Sequence, residues 1–441
     1  MKYRDLTKGN ISISLLLFAL PMVAGNLMQQ LYNVVDTLIV GRILGKTALA
    51  AVGSSYSLMT FLTSILLGLC LGSGALFSIY QGRKEEQMLE EAIDHAFFLI
   101  LALTVLLSAA SYLLLEPILW FLHIPKSVQP QMRVYLMIVF AGLLASSLSN
   151  FFFCLLRALG NSLVPLLFLA CSSLVNVGLD LLFVAVFPLG VAGAAAATVA
   201  AQYFAAIGIV IYMRKHCPAL LPKRNRTKFQ KNLFREIWSM SALTCLQQSV
   251  MNFGILMVQG IVNQFGTAVM AAFAAGVKID TLAYLPVQDF GNAYSTFVAQ
   301  NYGAGQEKRL KQGTREAVKI SVLFSMLLSV IVVAFAKPLM EIFVSAKETD
   351  VVSCGVTYLR IEGACYLGIG CLFLLYGYYR AIKQAMMSLV LTVISLGTRV
   401  VLAYVLSAQI GVIGIWLSIP IGWVLADLTG LIYGKRHPVQ F

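Results

Sequence analysis

Charged residues are scarce in this chain of 441 residues, since Asp, Glu, Lys and Arg together make up only 12% of it. A soluble globular protein carries about twice that fraction. There are only four histidines, and the eight cysteines show no spacing typical of a metal site. We also find no catalytic constellation and no polar stretch long enough for a sizeable soluble domain. These absences argue against an enzyme and against a resident metal or cofactor, and we interpret the cysteines as small buried hydrophobic residues.

Long apolar runs are abundant instead. Hydrophobic residues make up 59% of the chain, and the mean hydropathy is +0.84. Runs of 20 or more residues recur along the whole length, and each can cross a bilayer core of roughly 30 Å. We count twelve, at about 12–41, 50–80, 92–115, 132–157, 163–187, 190–213, 237–262, 269–302, 317–344, 353–379, 386–408 and 411–433. The sequence therefore predicts an all-α membrane protein with twelve transmembrane helices.

The net charge of +13 is distributed unevenly between the loops. If the N-terminus lies inside, the basic residues concentrate in the inside segments, and the outside loops keep few. This is the positive-inside bias, which places both termini in the cytoplasm of a multi-pass plasma membrane protein. The basic residues are not interleaved with aromatic or recognition elements, so we expect no nucleic-acid partner.

The two halves of the chain repeat each other. Gly82 corresponds to Gly303 with an offset of 221, and Arg157-Ala158 corresponds to Arg380-Ala381 with an offset of 223. A basic linker at 214–236 separates six spans from six. We therefore predict an N-terminal lobe at 1–213 and a C-terminal lobe at 237–441, related by pseudo-two-fold symmetry. Parallel repeats of this kind are a common plan for transporters, with the substrate site between the bundles.

Two aspartates, Asp36 and Asp180, lie inside apolar spans of the first half. The second half has Leu256 and Ala403 at the matching places. A carboxylate within a bilayer costs several kcal/mol unless it is paired, hydrated or protonated. Since the repeat manages with apolar residues, we expect the carboxylates to serve function rather than folding alone.

Two more polar residues fall near the same depth. At about 1.5 Å per residue, Asp36, Asp180 and Thr198 lie roughly 9–12 Å below the outer boundary, and Asn176 lies one turn deeper than Asp180 on the same helical face. Carboxylate, amide and hydroxyl oxygens suit a small hard cation such as Na⁺. The carboxylates could equally share one proton. Hydrogen-bonded contacts between helices are the alternative explanation, above all for Asn176 and Thr198.

Three further positions stand out. Pro21 lies within the first span and permits bending there, whether as a movable hinge or a static kink. Arg399 corresponds to Asn176 in the second half and should not stand unpaired within the membrane. We favour a structural pair of Arg399 with Glu362 over a role facing the substrate, with Asp280 and Asp289 as rival partners.

Four ordered motifs resemble those of the multidrug and toxic compound extrusion (MATE) family, and the resemblance extends over essentially the whole chain. They are Asp36-Thr-Leu-Ile-Val-Gly41 with Gly45, Ala48-Leu-Ala-Ala-Val-Gly53, Arg157-Ala-Leu-Gly-Asn161 and Gln300-Asn-Tyr-Gly-Ala304. The pair Asn176 and Asp180 with Thr198 looks like the amino-lobe cation site of archaeal and Gram-positive-type members. The resemblance implies that Pro21 matches the proline where the first helix bends, and Asn150 a further polar residue of that lobe. Where some relatives carry carboxylates on span seven, this chain has Gln247 and Gln248, which are candidates for the cavity wall.

The expected function is a cation-coupled antiporter that exports organic, mainly cationic, compounds by alternating access, driven by H⁺, Na⁺ or both. The partners would be small-molecule drugs and the lipid bilayer, and we expect the chain to work as a monomer. The alternative is a flippase for lipid-linked precursors. A flippase should have a strongly basic central cavity, whereas the recognisable intramembrane basic residues here are few, mainly Arg399 and Lys278.

Overall fold

The computed structural model describes residues 4–121, 125–223 and 230–438, and within these ranges the chain forms sixteen α-helices and no strand. The first eight are α1 (Ile11–Ile43), α2 (Lys46–Arg83), α3 (Glu86–Leu113), α4 (Leu115–Phe121), α5 (Gln129–Phe140), α6 (Gly142–Ala158), α7 (Leu163–Asp180) and α8 (Gly190–His216). The second eight are α9 (Lys231–Val262), α10 (Thr267–Gly303), α11 (Glu307–Ala334), α12 (Ala336–Phe343), α13 (Thr349–Gly363), α14 (Tyr366–Ala381), α15 (Ala385–Ile410) and α16 (Val412–Arg436).

The order of helices in the second set repeats that of the first. A short helix, α4 or α12, follows the third long helix of each set. The next span in each set is broken, because α5 and α6 meet at 42° and α13 and α14 at 51°. The breaks fall at Ala141 and at Ala364, which are 223 residues apart, the same offset as in the sequence repeat. Among the described residues, ten helices are long and apolar enough to span a membrane, and the two bent pairs bring the total to twelve. The predicted fold class is confirmed.

Large apolar side chains cover much of the helical surface. Leu113 is 83% exposed, Val330 67% and Leu20 65%. Such a surface would aggregate in water, but it matches the hydrocarbon of a bilayer. Helices satisfy their own backbone hydrogen bonds and are therefore one of the few forms of chain that hydrocarbon tolerates.

The chain divides into two compact units, and the division does not simply follow sequence order. The first unit contains 24–245, and the second contains 4–23 and 246–441. Helix α1 therefore begins in the second unit and ends in the first, whereas α9 does the reverse. Pro21 lies inside the continuous helix α1, just before the chain changes unit at Val23. The lobe boundaries at 213 and 237 and the hinge role of Pro21 stay predictions.

In the first unit, glycines bring α2 against the beginning of α9. A methyl group on Gly72 would lie 2.5 Å from the carbonyl oxygen of Met240, so only glycine permits this approach of the two backbones. The linker is held against α3 at both of its described ends. The Lys223 amide donates to Asp94 Oδ1 at 2.9 Å, and Gln230 Nε2 donates to Glu91 Oε2 at 2.6 Å. The rest of the basic linker, 224–229, lies outside the described residues, as do both chain ends.

In the second unit, the N-terminal segment is fastened to α10 and α11. The Leu6 amide donates to Gln300 Oε1 at 3.2 Å, and the Arg309 guanidinium donates to the carbonyl oxygens of Lys8 and Gly9, both at 2.8 Å. These bonds explain why the beginning of α1 belongs to this unit. They also give a folding role to the Gln300-Asn-Tyr-Gly-Ala304 motif.

Candidate functional site: a carboxyl pair in the first unit

Asp36 and Asp180 meet inside the first unit. Asp36 lies seven residues before the end of α1, and Asp180 is the last residue of α7. The two side chains lie close enough to interact with each other, and Asp180 is fully buried. A turn of π-helix, Leu181–Val186, follows Asp180 directly. Single π-helical turns of this kind are frequent at functional sites, because they displace the backbone locally.

Asn176 links this pair to helix α8. Its amide nitrogen donates to Asp180 Oδ2 at 3.2 Å, and its amide oxygen accepts from the backbone N–H of Thr198 at 3.2 Å. This orientation of the amide is assigned from the hydrogen bonds that it makes. Because Asn176 is almost completely buried, the two bonds fix the Asp180 carboxyl group relative to α8.

Two tyrosines that the sequence analysis did not single out complete the surroundings. The hydroxyl of Tyr135, on α5, lies beside the Thr198 side chain and close enough to both carboxyl groups to interact with their charge. Thr198 Oγ1 itself donates to the Ala194 carbonyl oxygen at 3.1 Å. Tyr32, one helical turn before Asp36, also lies near both carboxyl groups. The site is therefore built from α1, α5, α7 and α8.

The close placement of Asp36 and Asp180 favours the binding of one positively charged ion between them. Two carboxylates this close repel each other, so the pair favours the binding of one proton or one cation. Among the described residues, Asp36 Oδ1 and Asp180 Oδ1 are buried and have no hydrogen-bond partner. These two oxygens are therefore acceptors open to a proton or a small hard cation.

The donor set also fits Na⁺. Over the described part of the chain, no group of three or more His, Cys, Asp or Glu side chains is placed to hold a metal ion. A bound Na⁺ would take the oxygens of Asp36 and Asp180 and complete its shell with neutral oxygens, for which the hydroxyl of Thr198 is a candidate.

The second unit has no copy of this site. Ala403 and Ile419, which match Asp180 and Thr198, are both fully buried. The side chain of Leu256, which matches Asp36, lies outside the described part of the structure. In the second unit, the fully buried Ala403 therefore takes the place that the carboxyl group of Asp180 has in the first.

Arg399 and Glu362 lie in a separate cluster. Glu362 lies beside Asp280 and Tyr358, and Tyr366 donates to Asp280 Oδ1. Arg399 lies near both carboxyl groups, although no nitrogen–oxygen contact within 4 Å joins it to Glu362 among the described residues. The structure therefore shows a network of two acids and one base where the sequence suggested a single pair.

The other predicted positions fall elsewhere. Asn150 donates to Ser146 Oγ at 3.5 Å on its own helix, so this bond does not join it to the carboxyl pair. Gln247 and Gln248 line a cavity in the second unit.

Two signals could have found the residues that the sequence analysis missed. Tyr135 corresponds to Tyr358 with the offset of 223, so both halves keep a tyrosine at this place beside their acidic groups. Asp427 is a further carboxylate inside an apolar span, and the reasoning that found Asp36 applies to it equally. Asp427 Oδ1 is buried without a partner among the described residues.

Twelve spans in two repeats, with Asp36 and Asp180 paired in the first repeat where the second has apolar residues, are typical of a polytopic membrane transporter. Comparison with known proteins agrees. The MatE family model matches residues 21–182 and 241–405. A relative from Bacillus subtilis, the probable multidrug resistance protein YpnP, is 31% identical over 98% of this chain and 97% of its own length. The chain belongs to the MATE family.

More distant relatives cover nearly as much of the chain. The probable multidrug resistance protein NorM of Thermotoga maritima is 24% identical over 92% of this chain and 88% of its own length. A solved structure of a MOP superfamily transporter from Pyrococcus furiosus superposes with a TM-score of 0.93 at 20% identity, covering 99% of this chain and 98% of that one. This likeness shows that the two proteins share a fold.

Proposed function

We propose that this protein is a cation-coupled antiporter of the cell membrane, with both termini in the cytoplasm, and that it exports organic, mainly cationic, compounds. The observation that carries the proposal is the neighbouring pair of Asp36 and Asp180 within the spans of one unit, whose places are taken by apolar residues in the other. Several of its relatives are named as multidrug resistance or export proteins, which supports drug-like substrates.

The carboxyl pair would bind the coupling ion from outside. A proton or Na⁺ at Asp36 and Asp180 neutralises part of the negative charge of the first unit, which lowers its affinity for an organic cation, and the cation leaves. Coupling requires that ion and substrate each prefer a different state, because a ligand with equal affinity for both states shifts nothing. One elementary charge that moves inward through 100 mV supplies about 2.3 kcal/mol.

Ion-driven dye efflux from proteoliposomes tests the proposal. Wild type, Asp36→Asn and Asp180→Asn are compared under separately imposed pH and sodium gradients. We expect each Asn variant to lose efflux driven by the ion gradient and to lose substrate-induced ion release. The matched control is Asp427→Asn, which removes an intramembrane carboxylate from the other unit and should keep coupling. Undiminished coupled efflux in both Asp36 and Asp180 variants would refute the mechanism.

The flippase alternative is not favoured. Lipid-linked phosphates or pyrophosphates call for a strongly basic cavity. The intramembrane base Arg399 lies instead beside two carboxyl groups, those of Asp280 and Glu362.

A further inference from the structure

The last helix of each repeat ends in the same short pattern. Helix α8 ends in Tyr212-Met-Arg-Lys-His216, and α16 runs into Tyr433-Gly-Lys-Arg-His437. The offset between the two is 221, a value that also relates the repeats elsewhere. We call residues 214–216 and 435–437 the two basic turns. The halves differ at the carboxyl pair, yet both keep a tyrosine, two basic residues and a histidine here.

Aromatic rings give the two helix ends the same geometry. The rings of Tyr212 and His216 are stacked with their centroids 4.3 Å apart. The rings of Tyr433 and His437 are stacked at the same distance. Each tyrosine also packs edge to face on an aromatic ring of a neighbouring helix, Phe168 on α7 and Tyr379 on α14. These contacts hold each basic turn in place on its own unit.

The histidine of each turn caps its own helix. His216 Nδ1 lies 3.1 Å from the Tyr212 carbonyl oxygen, and His437 Nδ1 lies 3.2 Å from that of Tyr433. A carbonyl oxygen only accepts hydrogen bonds, so each Nδ1 carries the proton and donates. One of the free carbonyl groups at each helix end is satisfied in this way. The Arg and Lys side chains of the turns take no part in these bonds.

The Arg and Lys side chains of both turns lack a counter-ion. All four are exposed, and in the described part of the chain none of them has a salt bridge or a hydrogen bond: Arg214, Lys215, Lys435 and Arg436. The end of α2 differs, because Arg83 lies 3.9 Å from Glu85 there. Each basic turn therefore presents two uncompensated positive charges, which attract an anion.

An exposed apolar stripe leads along each helix to its basic turn. The stripes are Phe204, Ile207 and Ile211 on α8 and Leu425, Leu428 and Ile432 on α16. Lys215 follows Ile211 by one turn on the same face, and Arg436 follows Ile432 in the same way. Ile211 is 60% exposed and Ile432 51%. Each helix thus offers an apolar face that ends in positive charge, which complements the acyl chain and the phosphate of a phospholipid.

We propose that each basic turn binds the headgroup of an anionic phospholipid, with an acyl chain along the apolar stripe of the same helix. Basic residues at the inner end of a transmembrane helix attract anionic lipids. Under the inferred orientation of the protein, both lipids belong to the inner leaflet. A free phosphate would make no contact with the stripe, so the combined surface favours a lipid. The two sites are separate from the carboxyl pair and do not depend on transport.

Native mass spectrometry of the delipidated protein counts bound lipids directly. The probe is phosphatidylglycerol, and the control is phosphatidylcholine with the same acyl chains, whose headgroup has no net charge. We expect two phosphatidylglycerol molecules per protein, each bound about thirtyfold more tightly than phosphatidylcholine, since each of two basic residues contributes about fivefold. Glycerol phosphate, which lacks acyl chains, should not displace them. Equal binding of the two lipids, or displacement by glycerol phosphate, would overturn the proposal.

Double variants assign the two sites. Arg214→Gln with Lys215→Gln should lose one phosphatidylglycerol, and Lys435→Gln with Arg436→Gln should lose the other. The lipid that remains at the unchanged turn shows that each variant is folded. If either variant keeps both lipids or keeps none, the assignment is wrong.

The matched control is Arg83→Gln with Lys84→Gln, which removes two consecutive basic residues from the end of α2. It should keep both lipids, and a loss equal to that at the basic turns would mean that net charge alone attracts the lipid. Asp36→Asn and Asp180→Asn should also keep both lipids. A failure of ion coupling and a failure of the lipid sites therefore give different results.

Discussion

Replacing Asn176 by leucine should reveal which ion drives transport. Leucine has the same branched skeleton of heavy atoms, with bulkier methyl groups, but makes no hydrogen bond. The variant loses the bond from the amide to Asp180 Oδ2 at 3.2 Å and the bond from the Thr198 amide. A hydrogen bond to a charged group contributes about 1.5–3 kcal/mol, so the ionised form of Asp180 loses a factor of roughly 10 to 150 relative to its protonated form.

The sign of the effect depends on the ion. Na⁺ binds the ionised carboxylate, so the sodium concentration for half-maximal efflux should rise by that factor. A proton converts the carboxylate to its neutral form, so the proton concentration for half-maximal efflux should fall by the same factor. Dye efflux from proteoliposomes, measured against sodium at constant pH and against pH without sodium, separates the two cases.

The control is Gly178→Ala on the same helix, where the added methyl group meets no atom within 4 Å. We expect it to keep the wild-type dependence on both ions. If Asn176→Leu folds, transports and shows unchanged dependence on sodium and on pH, Asn176 does not support the ion site and the reasoning is refuted.

Three further substitutions test the structure more widely. Asp180→Ala copies the residue type of the second unit, so its melting temperature in detergent should stay close to wild type while ion-driven efflux disappears; a large drop in melting temperature would mean that the carboxylate is needed for folding. Gly377→Ala forces a methyl group to within 2.5 Å of the Gly291 carbonyl oxygen, so we expect the free energy of unfolding to fall by about 1–3 kcal/mol. The control Gly397→Ala, whose added methyl group meets no atom within 4 Å, should keep the wild-type stability. Equal melting temperatures of the two variants would contradict the close contact. Pro21→Ala restores a helical N–H and stiffens α1, so transport should slow while equilibrium ion binding stays unchanged, and an unaltered rate would argue against a hinge.

Much of the candidate site could be predicted from the chemical character and spacing of residues along the sequence. Asp36 and Asp180 stood out because a carboxylate is rare in an apolar span, and the structure does join them. The position of Asn176 followed from helical periodicity, which places residues four apart on one face. Tyr135 was not found in this way, because it comes from a different span and only packing brings it to Thr198.

Side chains that meet across helices could not be paired from sequence. Counting residues gives depth along each span, but not the rotation of one helix against another. Glu362 and Arg399 were matched by depth, and the structure also brings Asp280, from a third helix, beside Glu362. The lining of the cavity in the second unit was only partly predicted for the same reason. Gln247 and Gln248 were noted in the sequence, whereas Gln288 and Asn292 join them only because α10 packs beside α14.

The sequence by itself determined the all-α membrane class, the twelve spans and the repeat, because the length and spacing of apolar runs are set by the thickness of a bilayer and each helix closes its own hydrogen bonds. Tertiary structure alone decided which polar groups share a site. Which groups come together depends on close contacts such as that of Gly377 with Gly291. There the absence of side chains lets two helices approach closely, and this distance determines which neighbouring side chains can touch.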